Sequence, residues 1–352
     1  MAELDDDGGL LHWPNLQEWI GTHDLPGHGP VTSWRKLTGG SQNNIYRMTR
    51  EGGDFVLRRP PQHLRTNSND TMLREARVLS ALEGTAVPHP KLHAVCDDLD
   101  VIGTAFYCMA PVEGFTPNGD LPGAYGTDAS WREQLGLQMA DGAASLAAVD
   151  HEAVGLGSFG KSEAWAERQV GRWRSQLEGY SQLPGYGKPD VAGVDQIGAW
   201  LDANRPSDIR IGIIHGDYQF ANVMFAPDEP RLAAIVDWEL STLGDPMLDL
   251  AWALQAFSEE HDVPGRQPQL RPSDGMPSRA DVTARYGELT GRDMAALPWF
   301  QVLAYYKLGI LLEGTYARAC AGQASTELGD VMHRYTRWLF AMAIHALERS
   351  GA

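Results

Sequence analysis

His215-Gly216-Asp217-Tyr218-Gln219-Phe220-Ala221-Asn222, followed fifteen residues later by Asp237-Trp238-Glu239, spaces a carboxylate, an amide and a second carboxylate as phosphoryl transfer requires. In such sites a loop Asp accepts the proton of the attacking hydroxyl. An Asn five positions on and an Asp on the next strand hold magnesium. Asp217, Asn222 and Asp237 meet those offsets. The flanks set them between apolar strands. Ile211-Gly212-Ile213-Ile214 leads in, Asn222-Val223-Met224-Phe225 leaves, and Ala233-Ala234-Ile235-Val236 carries Asp237 to a strand end. Ala226-Pro227-Asp228-Glu229-Pro230 reads as the hairpin turn between the last two. His215 reads as a brace for the loop rather than a metal ligand. Downstream, Asp245 before Pro246 reads as a helix cap, and Asp249 as support for the catalytic loop.

Outward from this hairpin the two halves of the chain differ. Residues 1–10 read as a solvated acidic tail, and Leu16, Trp19 and Ile20 mark a short amphipathic helix. Strands are predicted at 31–37, 44–49, 54–59, 92–96 and 104–109. One helix is predicted over 70–82, capped by Ser68, Asn69 or Asp70 and stopped by Gly84. Beyond a linker at Ala110-Pro111-Val112-Glu113-Gly114 the pattern turns helical, with helices at 131–149, 162–179, 191–203, 248–257, 298–319 and 328–348. A Pro/Asp/Glu/Gly-rich loop covers 258–276. The expected class is α+β in two lobes: a small β-rich N-terminal lobe, 1–111, and a larger, mainly helical C-terminal lobe, 112–352. Five strands with one helix after the third is the layout of a kinase small lobe.

In that helix Met72, Glu75, Leu79 and Leu82 share one face, so the Glu75 carboxylate sits in an apolar stripe and needs a partner. Arg58 is the natural one. It alternates with Val56 on one face of its strand, which puts an apolar roof and then a cation over a nucleotide. Kinases place Lys there; Arg keeps its charge and binds two phosphate oxygens at once. Arg59 points the other way and reads as peripheral.

The H-G-D-x-x-x-x-N motif with D-W-E resembles the aminoglycoside phosphotransferase and choline kinase-like family, over about residues 30–345. It is closest to the branch found joined to acyl-CoA dehydrogenase domains. Phe55-Val56-Leu57-Arg58-Arg59-Pro60-Pro61, Val101-Ile102-Gly103-Thr104-Ala105-Phe106-Tyr107, Arg168-Gln169-Val170 and Arg172-Trp173 extend the match. The resemblance implies a protein-kinase-like fold, ATP and Mg2+ as cofactors, and a small-molecule hydroxyl as acceptor. It implies that Asp217 is catalytic and that Asn222 and Asp237 hold the metal. Arg58, Glu75, the backbone of Ala110 and Val112, and the glycine turn at Gly39, Gly40 and Ser41 would bind the nucleotide. Ala147 stands where many relatives carry His.

The 352 residues suffice for two cores, and 43% hydrophobic with 21% charged residues is ordinary for a globular chain. A formal charge of −17 argues against nucleic acid and against an anionic membrane surface. Cys96, Cys108 and Cys320 show no ligand spacing and fit reduced thiols in a cytoplasmic protein. No export signal or membrane-spanning stretch is read.

Asp245 follows Asp237 by only eight positions, too few for the activation segment of a protein kinase. Two acceptor classes stay open. Glu259, Glu260 and Asp262 could greet an aminoglycoside. Apolar residues of the 298–319 helix could line a site for a hydroxyacyl compound. A nucleotide-binding module with little turnover is the alternative that Arg58 leaves room for, and a metallohydrolase on His215 and Asp217 is a more distant one.

Overall fold

The computed structural model describes residues 5–37, 43–64, 67–117, 120–187, 191–257 and 274–349. Strands β1 (His28–Lys36), β2 (Asn44–Glu51), β3 (Gly53–Arg59), β4 (Leu92–Cys96) and β5 (Phe106–Met109) form one antiparallel sheet in the order β1-β2-β3-β5-β4. Strand alternation gives its two faces different fates. Tyr46, Met48, Phe55, Leu57, Phe106 and Cys108 pack on the back against Leu16 and Ile20 of the helix Trp13–Gly21. The front carries Val56 opposite Met109 and Arg58 opposite Tyr107, facing the helix Ser68–Leu82. Burial of β3 on both faces follows from this sandwiching.

Several expectations are corrected on the back face. Asp7 accepts hydrogen bonds from Tyr46 Oη (2.6 Å) and Lys36 Nζ (2.9 Å), and Leu11 is buried, so the described part of the acidic tail is docked. Arg59 is buried rather than peripheral, and its guanidinium donates to the Leu10 carbonyl. The helix Ser68–Leu82 has Asn67 at its N-cap. Asn69 instead accepts from Ala105 N–H (3.0 Å), fastening the helix to β5. A short helix, Leu99–Ile102, capped by the Asp98 side chain, adds to the expected elements.

The rest of the chain is built on the helices Ala129–Ala147, Trp165–Gly179, Val194–Ala203, Met247–Ala253, Arg279–Thr290, Leu297–Cys320 and Thr326–Arg349. The one at Arg279–Thr290 is not signalled by the sequence, because only Val282 and Tyr286 of it are buried and its apolar pattern is thin. Two small sheets lie among these helices: β6 (Gly212–Ile214) pairs with β9 (Thr242–Gly244), and β7 (Val223–Phe225) with β8 (Leu232–Ile235). Phe115, just past the sheet, exchanges two backbone bonds with Phe225, pinning the linker to this hairpin. By length and apolarity the segment Met294–Cys320 could cross a membrane, but 61% of its apolar window is buried against the fold. The three cysteines are free thiols.

Candidate active site

The loop after β6 is held from three sides. The Asp249 carboxylate, on the helix Met247–Ala253, accepts His215 N–H (2.6 Å) and Gly216 N–H (2.9 Å). Lys307 Nζ donates to the Gly216 carbonyl at 2.6 Å. His215 Nδ1 accepts Asp217 N–H (3.3 Å), so its proton sits on Nε2 and donates to the Val236 carbonyl at 2.9 Å. Gly216 has φ +85°, and a Cβ there would lie 2.4 Å from the Leu240 carbonyl oxygen. Both facts exclude a side chain at that point.

These restraints present Asp217. Its Oδ1 accepts Gln219 Nε2 (2.8 Å) and Trp252 Nε1 (2.9 Å), and its Oδ2 accepts Asn222 Nδ2 (2.7 Å). Asn222 Nδ2 also donates to the Asp217 carbonyl (2.9 Å), so the amide nitrogen is spent and its Oδ1 stays available for a cation. Val236 N–H bonds the Asn222 carbonyl at 2.9 Å, which sets Asp237 beside both loops. Asp237 adopts φ +67°, ψ +64°, a left-handed conformation that Asp tolerates better than most residues.

Across the cleft, Arg58 joins the front of the sheet to this hairpin. Its Nη2 lies 2.5 Å from Asp237 Oδ1, its Nε 2.9 Å from Glu75 Oε2, and Tyr107 Oη donates to Glu75 at 2.9 Å. Arg74 and Arg77 turn away to the Phe159, Ser241 and Gly155 carbonyls. Burial pulls the Arg58 pKa down, but Glu75 and then Asp237 outweigh it, so the guanidinium holds its proton more tightly than usual. Burial raises Glu75 to about 7 against the opposing pull of Arg58. Carboxylate oxygens of Glu75, Asp237 and Glu239 lie within 4.8 Å of one another, a hard-oxygen set of the kind magnesium takes.

Residues 33–295 match the model of the phosphotransferase enzyme family. The chain belongs to that family. Its relatives include the acyl-CoA dehydrogenase family member 11 of Gallus gallus, 29% identical over 90% of this chain and 40% of that protein; the chain thus spans about two fifths of that relative. Among solved structures, a candidate aminoglycoside phosphotransferase from Ralstonia eutropha JMP134 is 29% identical, with a TM-score of 0.82 over 96% of this chain and 98% of its own. A thermostable mutant of the aminoglycoside phosphotransferase APH(4)-Ia (N203A), solved with AMP-PNP and hygromycin B, shares the fold at 14% identity. Its TM-score is 0.62, covering 95% of this chain and 97% of its own. The chain is therefore a bilobal, kinase-like α+β protein, with a sheet-rich N-terminal region and a helical C-terminal part.

Asp217, Asn222, Asp237, Arg58 and Glu75 thus form one connected set between the five-stranded sheet and the β7–β8 hairpin. In the linker, Ala110 gives its N–H to the Lys91 carbonyl (2.8 Å), which leaves its carbonyl for a ligand; Val112 follows two residues on. Gly39, Gly40 and Ser41 lie outside the described residues, as do Glu259, Glu260 and Asp262. Trp252, Gln219, Tyr107 and Lys307 join the site without having been read from the sequence. Of these only Lys307 leaves a signal there: a lone cation inside the apolar run Val302-Leu303-Ala304-Tyr305-Tyr306-Lys307-Leu308-Gly309-Ile310.

Proposed function

We propose that the chain is an ATP- and magnesium-dependent kinase that transfers the γ-phosphoryl group to the hydroxyl of a small molecule. One observation carries this reading: Asp217 and Asn222 are bonded to each other, and Asp237 is bonded to Arg58, which is bonded to Glu75. Asp217 orients the acceptor hydroxyl and takes its proton late, its carboxylate being fixed by three donors. Asn222 Oδ1 and the open side of Asp237 fit magnesium, which when bound neutralises charge on the phosphates. Arg58 binds phosphate oxygens with Glu75 holding its fork, and the backbone of Ala110 and Val112 reads the base.

Among acceptors we place a hydroxyacyl compound ahead of an aminoglycoside-like one. Lys307 interacts electrostatically with both Asp217 and Arg172, and positive charge near Asp217 suits an anionic acceptor better than a polyamine. The name of the avian relative points the same way.

The test is magnesium-dependent consumption of ATP and of GTP with hydroxyacyl compounds and aminoglycosides as acceptors. Asp217→Asn should lower turnover about 10²- to 10⁴-fold while nucleotide still binds. A wild-type protein that binds no nucleotide would end the kinase reading. A second reading, a nucleotide-binding module with little turnover, is favoured by the Arg58–Asp237 contact, which occupies one oxygen of the metal-side carboxylate. Tight ATP binding with no turnover on any acceptor would select it.

A further inference from the structure

We infer that Lys307 is a positioning residue for Asp217: its ammonium grips the carbonyl of Gly216, the residue before it, and the face of the Trp252 indole, one of the three donors to its carboxylate. This rests on the proposed role of Asp217. Lys307 lies within the helix Leu297–Cys320, is only 7% exposed, and places Nζ 2.6 Å from the Gly216 oxygen and 4.5 Å from the Trp252 ring centroid. Gly216 is the residue before Asp217, and the Trp252 Nε1–H is one of the two donors on Asp217 Oδ1. One buried charge thus restrains Asp217 from its backbone and from its side chain.

The location is costly for a lysine. Among the described residues no carboxylate lies within 4.0 Å of it, so its bonded partner is a neutral carbonyl. A Met or Leu would fill the same space without the desolvation penalty. What the charge adds is a strong hydrogen bond to one peptide and a cation–π contact to one indole. The groups that face it are Asp249 from the helix Met247–Ala253 and Asp217 from the loop, which favour the charge, and Arg172 from the helix Trp165–Gly179, which opposes it. Burial dominates and lowers Lys307 to about 8. The lysine is charged at neutral pH and loses its proton as pH rises through that value; the neutral amine still donates, but weakly.

Two readouts test this, and the first needs no turnover. The ¹H–¹⁵N indole resonance of Trp252, assigned by its loss in Trp252→Phe, should titrate near pH 8 in the wild type and show no such step in Lys307→Met or Lys307→Arg. The second is kinetic. Lys307→Met should lower kcat about 10-fold, as loss of a charge-assisted bond predicts, with the nucleotide KM within about twofold. The alkaline limb of the wild-type kcat profile should move upward in Lys307→Arg. A Trp252 indole that does not titrate between pH 6 and 10, or wild-type kcat in Lys307→Met, would overturn the inference. Where Lys307→Met does not fold, the wild-type and Lys307→Arg titrations decide. Absence of turnover in the wild type would count against the kinase reading and leave the indole titration to judge Lys307.

Discussion

Among the described residues two arginine–carboxylate centres are buried, and they differ in whether one side opens to solvent. Arg292 and Asp245 are closed off. The Asp245 side chain has no exposed surface, and it accepts Arg292, Arg210 N–H and Met247 N–H, while Arg292 also donates to the Asp208 carbonyl. Arg58 is equally buried, yet of its two carboxylates only Glu75 is enclosed; the Asp237 side chain is 35% exposed. A closed pair gives its energy to the fold alone. A pair with one open oxygen can exchange a partner for a ligand.

The sharpest way to break this comparison is to remove a carboxylate from each centre. Asp245→Ala leaves Arg292 buried without compensation and should cost about 3–5 kcal/mol in urea unfolding. Asp237→Ala, which leaves the Arg58–Glu75 pair in place, should cost about 1 kcal/mol in stability but lower turnover about 10²–10³-fold. Reversed effects would show that the open centre is structural.

Glu75→Gln refines the picture, since it keeps the shape and removes the charge opposite Arg58. A cost of about 1–3 kcal/mol in stability is expected, with a nucleotide KM about 10-fold higher as the guanidinium loses its brace. An unchanged KM, read from initial rates, would separate Arg58 from nucleotide binding.

The smallest effect belongs to a third pair, on the back of the sheet and open to water. Asp7 is held below its usual pKa first by the hydrogen bond from Tyr46 and further by Lys36, with burial opposing. A carboxylate depressed in the folded state contributes stability above its unfolded pKa of 3.8, and that stability is lost as pH falls through the folded value. Asp7→Asn should therefore cost under about 1 kcal/mol at neutral pH and flatten the acid limb of the unfolding midpoint below pH 4.

The catalytic hairpin is legible because its information is local. Strand, turn and carboxylate occur within 25 residues, and the apolar flanks mark burial directly. Strand β2 can be found for the same reason, since its period-two burial needs only the chain's own pattern. Glu75 is legible as a conflict: a charge on an apolar face demands a partner, and Arg58 meets that demand from the neighbouring strand. The acidic N-terminal segment misleads because its composition is that of a solvated tail. Its docking depends on Tyr46, Lys36 and Arg59, which are remote in sequence.

The residues alone supply most of the strands and helices, the spacing of Asp217, Asn222 and Asp237, and the need for a charge partner at Glu75. These follow from periodicity and short-range geometry. It takes the packed fold to bring Trp252 and Lys307 onto the residues around Asp217, and to seal Asp245 while leaving Asp237 open. Such contacts join positions from 35 to 179 residues apart. Pairing at that range is set by how helices pack and which side of a pair meets the cleft, which no local pattern encodes.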